Sequence, residues 1–207
     1  MGLFLFVSLA PSLSFADAIQ SDSVCLSGDK MMNLAKGEGN ILFGNGYNIK
    51  TQKAPFTAKI SMMYNRKTSD WSFIAEYPEQ NATCYIEGGE NWTKLPMKFP
   101  EGVIHGGGFE ERIGHCDSLA SLSLKLRSHF RKVDIGYGTH LSGSFPPNSG
   151  VSKIETHWFI DGVGGWTAVH NITYKGMENA PLACIQAFGT GWKFLDYYET
   201  HLPPIGK

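Results

Sequence analysis

The sequence predicts an α+β fold made of two tandem copies of one small module. Each module is expected to be a helix packed on a short antiparallel sheet, closed by one disulfide. The motif Cys-x4-Gly-x2-Trp occurs twice, from Cys84 to Trp92 and from Cys184 to Trp192. In both halves an earlier cysteine precedes a stretch with helical spacing, and segments of alternating apolar and polar residues follow it.

The same landmarks recur in the same order along the two halves. Trp71 lies before Cys84 in the first half, as Trp166 lies before Cys184 in the second. The predicted organisation is a signal peptide (1–18), a first module (19–92), a linker rich in proline and glycine (93–114), a second module (115–198) and a C-terminal tail (199–207).

The N-terminal segment resembles a secretory signal peptide. Leu3–Phe15 is mostly apolar, and Ala16-Asp17-Ala18 follows it as a small-residue cleavage site. The run is short and contains Pro11, whereas a membrane-spanning helix needs about 20 predominantly apolar residues. We therefore expect a mature chain that begins near Ile19, lies in the periplasm or outside the cell, and has no membrane span after cleavage.

A helix is predicted near the start of each module. In the second half Asp117 or Ser118 is placed to cap the first turn. Four apolar residues then fall at helical spacing: Leu119, Leu122, Leu126 and Phe130. In the first half Met31, Leu34 and Ala35 predict a shorter helix that ends near Gly37.

Strands are predicted after each helix. Trp71, Phe73, Ala75 and Tyr77 alternate with more polar residues, as expected for a half-buried strand. Turn-forming residues at 65–70 and 161–165 separate neighbouring strands in the two halves. Each helix is therefore expected to lead into a meander of antiparallel strands.

The four cysteines allow three pairings. The duplication selects Cys25 with Cys84 and Cys116 with Cys184, so that each bond ties a helix start to the last strand of its own module. Closing a loop of this length contributes about 4 kcal/mol on the chain-entropy model. Modules that fold independently would unfold in two separate transitions.

Composition excludes one class of partner and favours no cofactor. The formal net charge is -1 and charged residues make up 18% of the chain, so the basic surface that nucleic-acid binding requires is missing. No Cys-x2-Cys or His-x3-His spacing occurs, so no metal ligands, catalytic residues or cofactor-binding residues are predicted.

Two groups of residues form a candidate binding surface. His140, His157 and His170 lie on predicted strands of one sheet, but no carboxylate lies at a sequence spacing that would complete a site with them. We therefore expect isolated histidines. Trp92 and Trp192 are expected to close the two cores, and as exposed residues they would instead form a bivalent binding surface.

With these landmarks in place, each half resembles a group of small exported proteins of Gram-negative bacteria, mainly alphaproteobacteria, that has no assigned activity. The resemblance rests on Cys25, Gly37-Glu38, Trp71-Ser72 and Cys84 in the first half. In the second half it rests on Cys116, Trp166-Thr167 and Cys184, without a Gly-Glu pair. It implies a place in the periplasm or cell envelope and no catalysis.

Two functions are consistent with these features. The first is an exported, non-enzymatic binding or structural module of the cell envelope, with another envelope protein or a cell-wall component as partner. The alternative is a periplasmic or secreted hydrolase with a histidine-containing site between the modules. A histidine within hydrogen-bond reach of an acidic residue in a concave pocket would favour the alternative, whereas scattered histidines would favour binding.

Overall fold

The structure is a computed structural model that describes residues 24–48, 57–101, 109–141, 145 and 148–195. The expected signal peptide and the C-terminal tail at 199–207 lie outside the described residues.

The two halves contain the same strands and α-helix in the same order. The first half comprises β1 (Cys25–Ser27), α1 (Lys30–Gly37), β2 (Ile41–Asn48), β3 (Lys59–Tyr64), β4 (Trp71–Tyr77), a 3-10 turn (Pro78–Gln80) and β5 (Ala82–Lys94). The second half comprises β6 (Cys116–Asp117), α2 (Leu119–Phe130), β7 (Val133–His140), β8 (Val151–Ile160), β9 (Trp166–Tyr174) and β10 (Leu182–Phe194).

All ten strands in the described part of the chain belong to one sheet, and eight of them close into a ring. The order around the ring is β5-β4-β3-β2-β10-β9-β8-β7, and β7 pairs in turn with β5. Every pairing is antiparallel. The fold is therefore mainly antiparallel sheet with two short helices, and the two halves share one sheet.

The two longest strands join the halves. The first part of β5 pairs with β1 of its own half, and its last part, from Gly89 to Lys94, pairs with β7 of the other half. In the same way β10 pairs first with β6 and then, from Gly189 to Phe194, with β2. Residues 93 and 94, expected in a linker, are thus part of a strand whose partner lies in the second half.

Disulfides join Cys25 to Cys84 and Cys116 to Cys184, the pairs that the duplication selects. Each bond links two directly opposed residues of neighbouring strands, with Cα atoms 4.0 Å apart in the first pair and 4.1 Å in the second. The first cysteine of each half lies in a short strand before the helix, so the bond does not pin the helix to the sheet, contrary to the sequence-based expectation. Disulfides of this kind are typical of an oxidising, extracytoplasmic compartment.

The helices pack on the outside of the ring. On β3, Met62 belongs to the interior cluster while its neighbour Met63 contacts the cluster formed with α1, because successive side chains of a strand point to opposite faces. In the second half Leu122 and Leu126 of α2 cover Phe159 of β8. Ser118 caps α2 by accepting a hydrogen bond from the backbone N–H of Ser121.

Aromatic side chains fill much of the interior. All five tryptophans of the chain belong to the interior cluster: Trp71, Trp92, Trp158, Trp166 and Trp192. Trp158 and Trp166 stack with ring centroids 4.7 Å apart. Neither of the described helices is long and apolar enough to cross a membrane.

Candidate metal site inside the closed sheet

Glu87, His140 and His170 form a cluster in the interior of the ring. One potential ligand atom from each residue lies within 4.8 Å of the other two. The hydroxyl group of Thr156 lies beside His140. In the part of the chain that the structure describes, this is the one group of three or more His, Cys, Asp or Glu residues with metal-ligating geometry.

Strand pairing explains why residues so distant in sequence meet. Glu87 lies on β5 and His140 is the last residue of β7, and these strands are neighbours because the ring closes there. Thr156 of β8 is directly opposite His170 of β9. The cluster therefore depends on the pairing of the first half with the second.

The polar atoms of the cluster are within contact distance. Oε2 of Glu87 lies 2.6 Å from Nε2 of His170 and 3.7 Å from Nε2 of His140. Nε2 of His140 is also 2.7 Å from Oγ1 of Thr156. One carboxylate oxygen thus faces two imidazole nitrogens.

The cluster is shielded from solvent. The exposed fractions of the side chains are 9% for Glu87, 7% for His140 and 2% for His170. Nδ1 of His170 is buried and has no hydrogen-bond partner among the described residues. Buried polar atoms are nearly always paired, so an unpaired one calls for an explanation such as a bound ion or water.

The pKa shifts of Glu87 and His140 favour the protonation states that metal ligands need. Burial would raise the pKa of Glu87, but the attraction and hydrogen bond of His170 and the attraction of His140 outweigh it, and the pKa is lower than the ordinary value. Burial lowers the pKa of His140 to about 4, against the opposing effect of Glu87 and with a further lowering by His170. At neutral pH the site thus presents an ionised carboxylate and a neutral imidazole of His140.

The donor set fits a divalent transition metal. Two imidazoles and one carboxylate are ligands that suit Zn²⁺ and Fe²⁺, and three protein ligands leave a coordination position open. Thiolate ligands are not available, since all four cysteines form disulfides. Zinc ligands lie about 2.0–2.2 Å from the metal, so the ion would replace the direct hydrogen bond between Glu87 and His170.

The corresponding positions of the other half lack this chemistry. Glu87 and Ala187 each lie three residues after the second cysteine of their half. His170 pairs with Cys184, and the equivalent cysteine of the first half, Cys84, pairs with Ala75. His140 pairs with Gly89, and the equivalent glycine of the second half, Gly189, pairs with Asn48. The equivalent location therefore holds Ala187, Ala75 and Asn48, and the sheet forms there without any titratable group.

His157 lies apart from the cluster, on the opposite face of β8 from Thr156. Its Nδ1 is 2.6 Å from Oδ2 of Asp134, and its ring stacks on Tyr137 at a centroid distance of 5.0 Å. The structure thus brings together His140 and His170 of the three predicted histidines but not His157.

All five residues of the candidate binding surface are buried, and the two tryptophans close the core as expected. Trp92 and Trp192 are 5% and 6% exposed and belong to the interior cluster, because the inward-facing positions of the closed ring bury them. His140, His157 and His170 are buried as well. These five residues therefore close the core or lie within it, and none offers an exposed docking patch.

Two carboxylates depart from the sequence-based expectation. Glu87 completes a site for which no carboxylate was expected. The one signal in the sequence is that this acidic residue stands where the second copy of the motif has Ala187. Glu111, in the segment expected to be a linker, packs against the second half and accepts hydrogen bonds from buried Lys132 at 2.8 Å and 2.9 Å and from Thr167.

No protein-family model, curated protein or solved structure matches this chain.

Proposed function

We propose that the chain is an exported, non-enzymatic binding protein of the cell envelope whose ligand is a divalent transition-metal ion, held by Glu87, His140 and His170. The observation that carries the proposal is the convergence of three ligand atoms within 4.8 Å in the interior of the ring. The two disulfides support a place outside the cytoplasm.

The asymmetry between the halves supports a functional role for the cluster. We infer that the halves descend from one duplicated module, because they share element order, disulfide positions and strand registers. Ala187, Ala75 and Asn48 support the inference that such a module folds without a buried Glu or His at these positions. Burying ionisable groups is costly unless they are paired or bind a metal, so the presence of Glu87, His140 and His170 at one location favours a purpose other than folding.

The size of the site favours an ion over a larger ligand. The inner face next to the cluster is occupied by aromatic side chains, and the ring of Trp71 contacts the ring of His140 edge-on at a centroid distance of 5.3 Å. Phe73 and Trp158 stack at 4.4 Å in the same interior cluster. Such packing suits a single ion coordinated directly by side chains.

Zinc titration of the mature protein tests this function. The wild-type chain should bind one Zn²⁺ per molecule in calorimetry or equilibrium dialysis. Glu87→Ala, His170→Ala and His140→Asn introduce the residues found at the corresponding positions of the other half, so they should preserve the fold. Loss of a ligand should weaken binding by more than about 100-fold, since even residues that only orient the ligands change affinity about 10–100-fold.

His157→Asn is the matched control, because it removes a buried, carboxylate-paired histidine outside the cluster. It should leave zinc affinity unchanged. Near-ultraviolet circular dichroism of the tryptophans reports whether each variant is folded. A wild-type protein that binds no zinc, or cluster variants that bind it as tightly as the wild type, would refute the proposal.

A metal-dependent hydrolase is the second candidate. It is favoured by one observation, that the ligands come from both halves and leave a coordination position for water. Turnover of a small activated ester by the zinc-loaded protein, absent in His170→Ala and present in His157→Asn, would favour this candidate over simple binding.

A further inference from the structure

The cluster lies between two layers of apolar side chains within the ring. Along β8 and β9 the opposed inner-face pairs are Ile154 with Ile172, then Thr156 with His170, then Trp158 with Ala168. Ile154 and Ile172 form a buried cluster with Val151, against which Phe145 packs. Trp158 belongs to the aromatic interior on the other side. Along β8 and β9, an ion leaving the site in the direction of the ring axis therefore meets apolar side chains on both sides.

Strand pairing restricts the remaining directions. At His170, β9 pairs with β8 on one side and with β10 on the other. At Glu87, β5 pairs with β4, and its pairing with β7 begins at Gly89, opposite His140. An ion can pass between two strands only if their pairing opens. The low exposed fractions of the three ligand side chains, between 2% and 9%, agree with this enclosure.

The site also has no local precursor in the chain. Glu87 and His170 are 83 residues apart, and they meet only when both halves have joined the ring. In metal sites of this kind ligand binding and folding are coupled. The unfolded chain offers ligands that are accessible but not assembled, whereas the folded chain offers ligands that are assembled but enclosed.

From this enclosure we infer that the metal ion enters while the chain folds, before the ring closes, and stays until the ring opens. The inference rests on the proposed function, since it concerns how the same site is loaded. It makes the ion a resident component acquired once during folding rather than a cargo exchanged by the folded protein.

Kinetics of zinc uptake tests the inference. One sample is folded, metal-free wild-type protein, and the other is the same oxidised chain diluted from urea into buffer that contains Zn²⁺. Zinc bound to protein is measured after rapid removal of free metal. The refolding sample should load within its folding time. The folded sample should load slowly, at a rate that does not change when the zinc concentration is raised tenfold and that increases in low concentrations of urea.

Different outcomes separate this inference from the proposed function. A folded protein whose uptake rate rises in proportion to zinc and is not increased by low concentrations of urea, as in a simple bimolecular reaction without opening, would overturn the inference and leave the proposed function in place. Zinc bound by neither sample would overturn both.

Zinc uptake by a pair of variants provides an independent test of the inference. Ile172→Ala removes part of the apolar layer beside His170 and should speed uptake by the folded protein. Val163→Ala changes a side chain that is 92% exposed and should not. Equal uptake rates in the two variants, both as fast as a bimolecular reaction, would contradict the inference.

Discussion

Oε2 of Glu87 lies 2.6 Å from Nε2 of His170, and this contact joins a strand of the first half to a strand of the second in the interior of the sheet. Neither residue has a titratable counterpart in the other half, where Ala187 and Ala75 occupy the corresponding positions. The two halves thus differ in their chemistry at this contact, and the proposed metal site is centred on it.

Stability of the metal-free protein should depend on pH through His140. The pKa of His140 is about 4 in the folded protein because of burial, whereas an unfolded histidine titrates near ~6.5. Between these values the unfolded state binds the extra proton, so the free energy of unfolding should fall as pH decreases from about 6.5 to about 4. The loss is up to about 3 kcal/mol, because each unit of difference between the folded and unfolded pKa corresponds to ~1.4 kcal/mol.

His140→Asn should flatten this dependence. Urea unfolding at several pH values in the presence of a chelator measures it, and His157→Asn provides the comparison. A slope that is the same in His140→Asn and in the wild type would show that another group is responsible.

The closed ring predicts a single unfolding transition. Because β5 pairs with β7 and β10 pairs with β2, neither half retains its sheet neighbours when the other unfolds. The double variant Cys116→Ser/Cys184→Ser should therefore lower the stability of the whole protein by about 4 kcal/mol on the chain-entropy model. Circular dichroism and tryptophan fluorescence should report the same midpoint. Two separate transitions would instead support modules that fold independently.

Close packing of β7 against Trp71 provides a test of the interior beside the cluster. A Cβ atom at Gly138 would clash with Nε1 of Trp71, so Gly138→Ala forces the indole or the strand to move. We expect a loss of about 1–3 kcal/mol, as is typical of overpacked cores. Gly162→Ala, where nothing lies within 4 Å of the added atom, should have little effect. Similar stability of the two variants would contradict the described packing.

Local features of the fold could be predicted from the sequence. The helix Leu119–Phe130 has apolar residues at helical spacing and a capping serine directly before it, so short-range contacts define it. The disulfides could be predicted from the repeat, because each half contains two cysteines at equivalent positions and each bond joins the two cysteines of one half.

The closure of the ring and the carboxylate of the site could not be predicted in this way. Pairing of β5 with β7 is a contact between distant segments and leaves no local pattern. Along β5 the register shifts, so that Phe73 pairs with Glu87 while Ile74 pairs with Tyr85. Alternation therefore breaks at Ile86, and a simple two-residue period does not indicate which face of the strand Glu87 occupies.

The most direct test of the central claim is the position of the metal in a crystal of the zinc-loaded protein, located by anomalous scattering at the zinc edge. The account predicts one strong peak in the interior of the ring, at coordination distance, about 2.0–2.2 Å, from a carboxylate oxygen of Glu87 and from one ring nitrogen each of His140 and His170. The peak should be absent from Glu87→Ala crystals prepared in the same way. Zinc found only at surface residues of the wild-type protein, with Glu87 and His170 still hydrogen-bonded to each other, would contradict it.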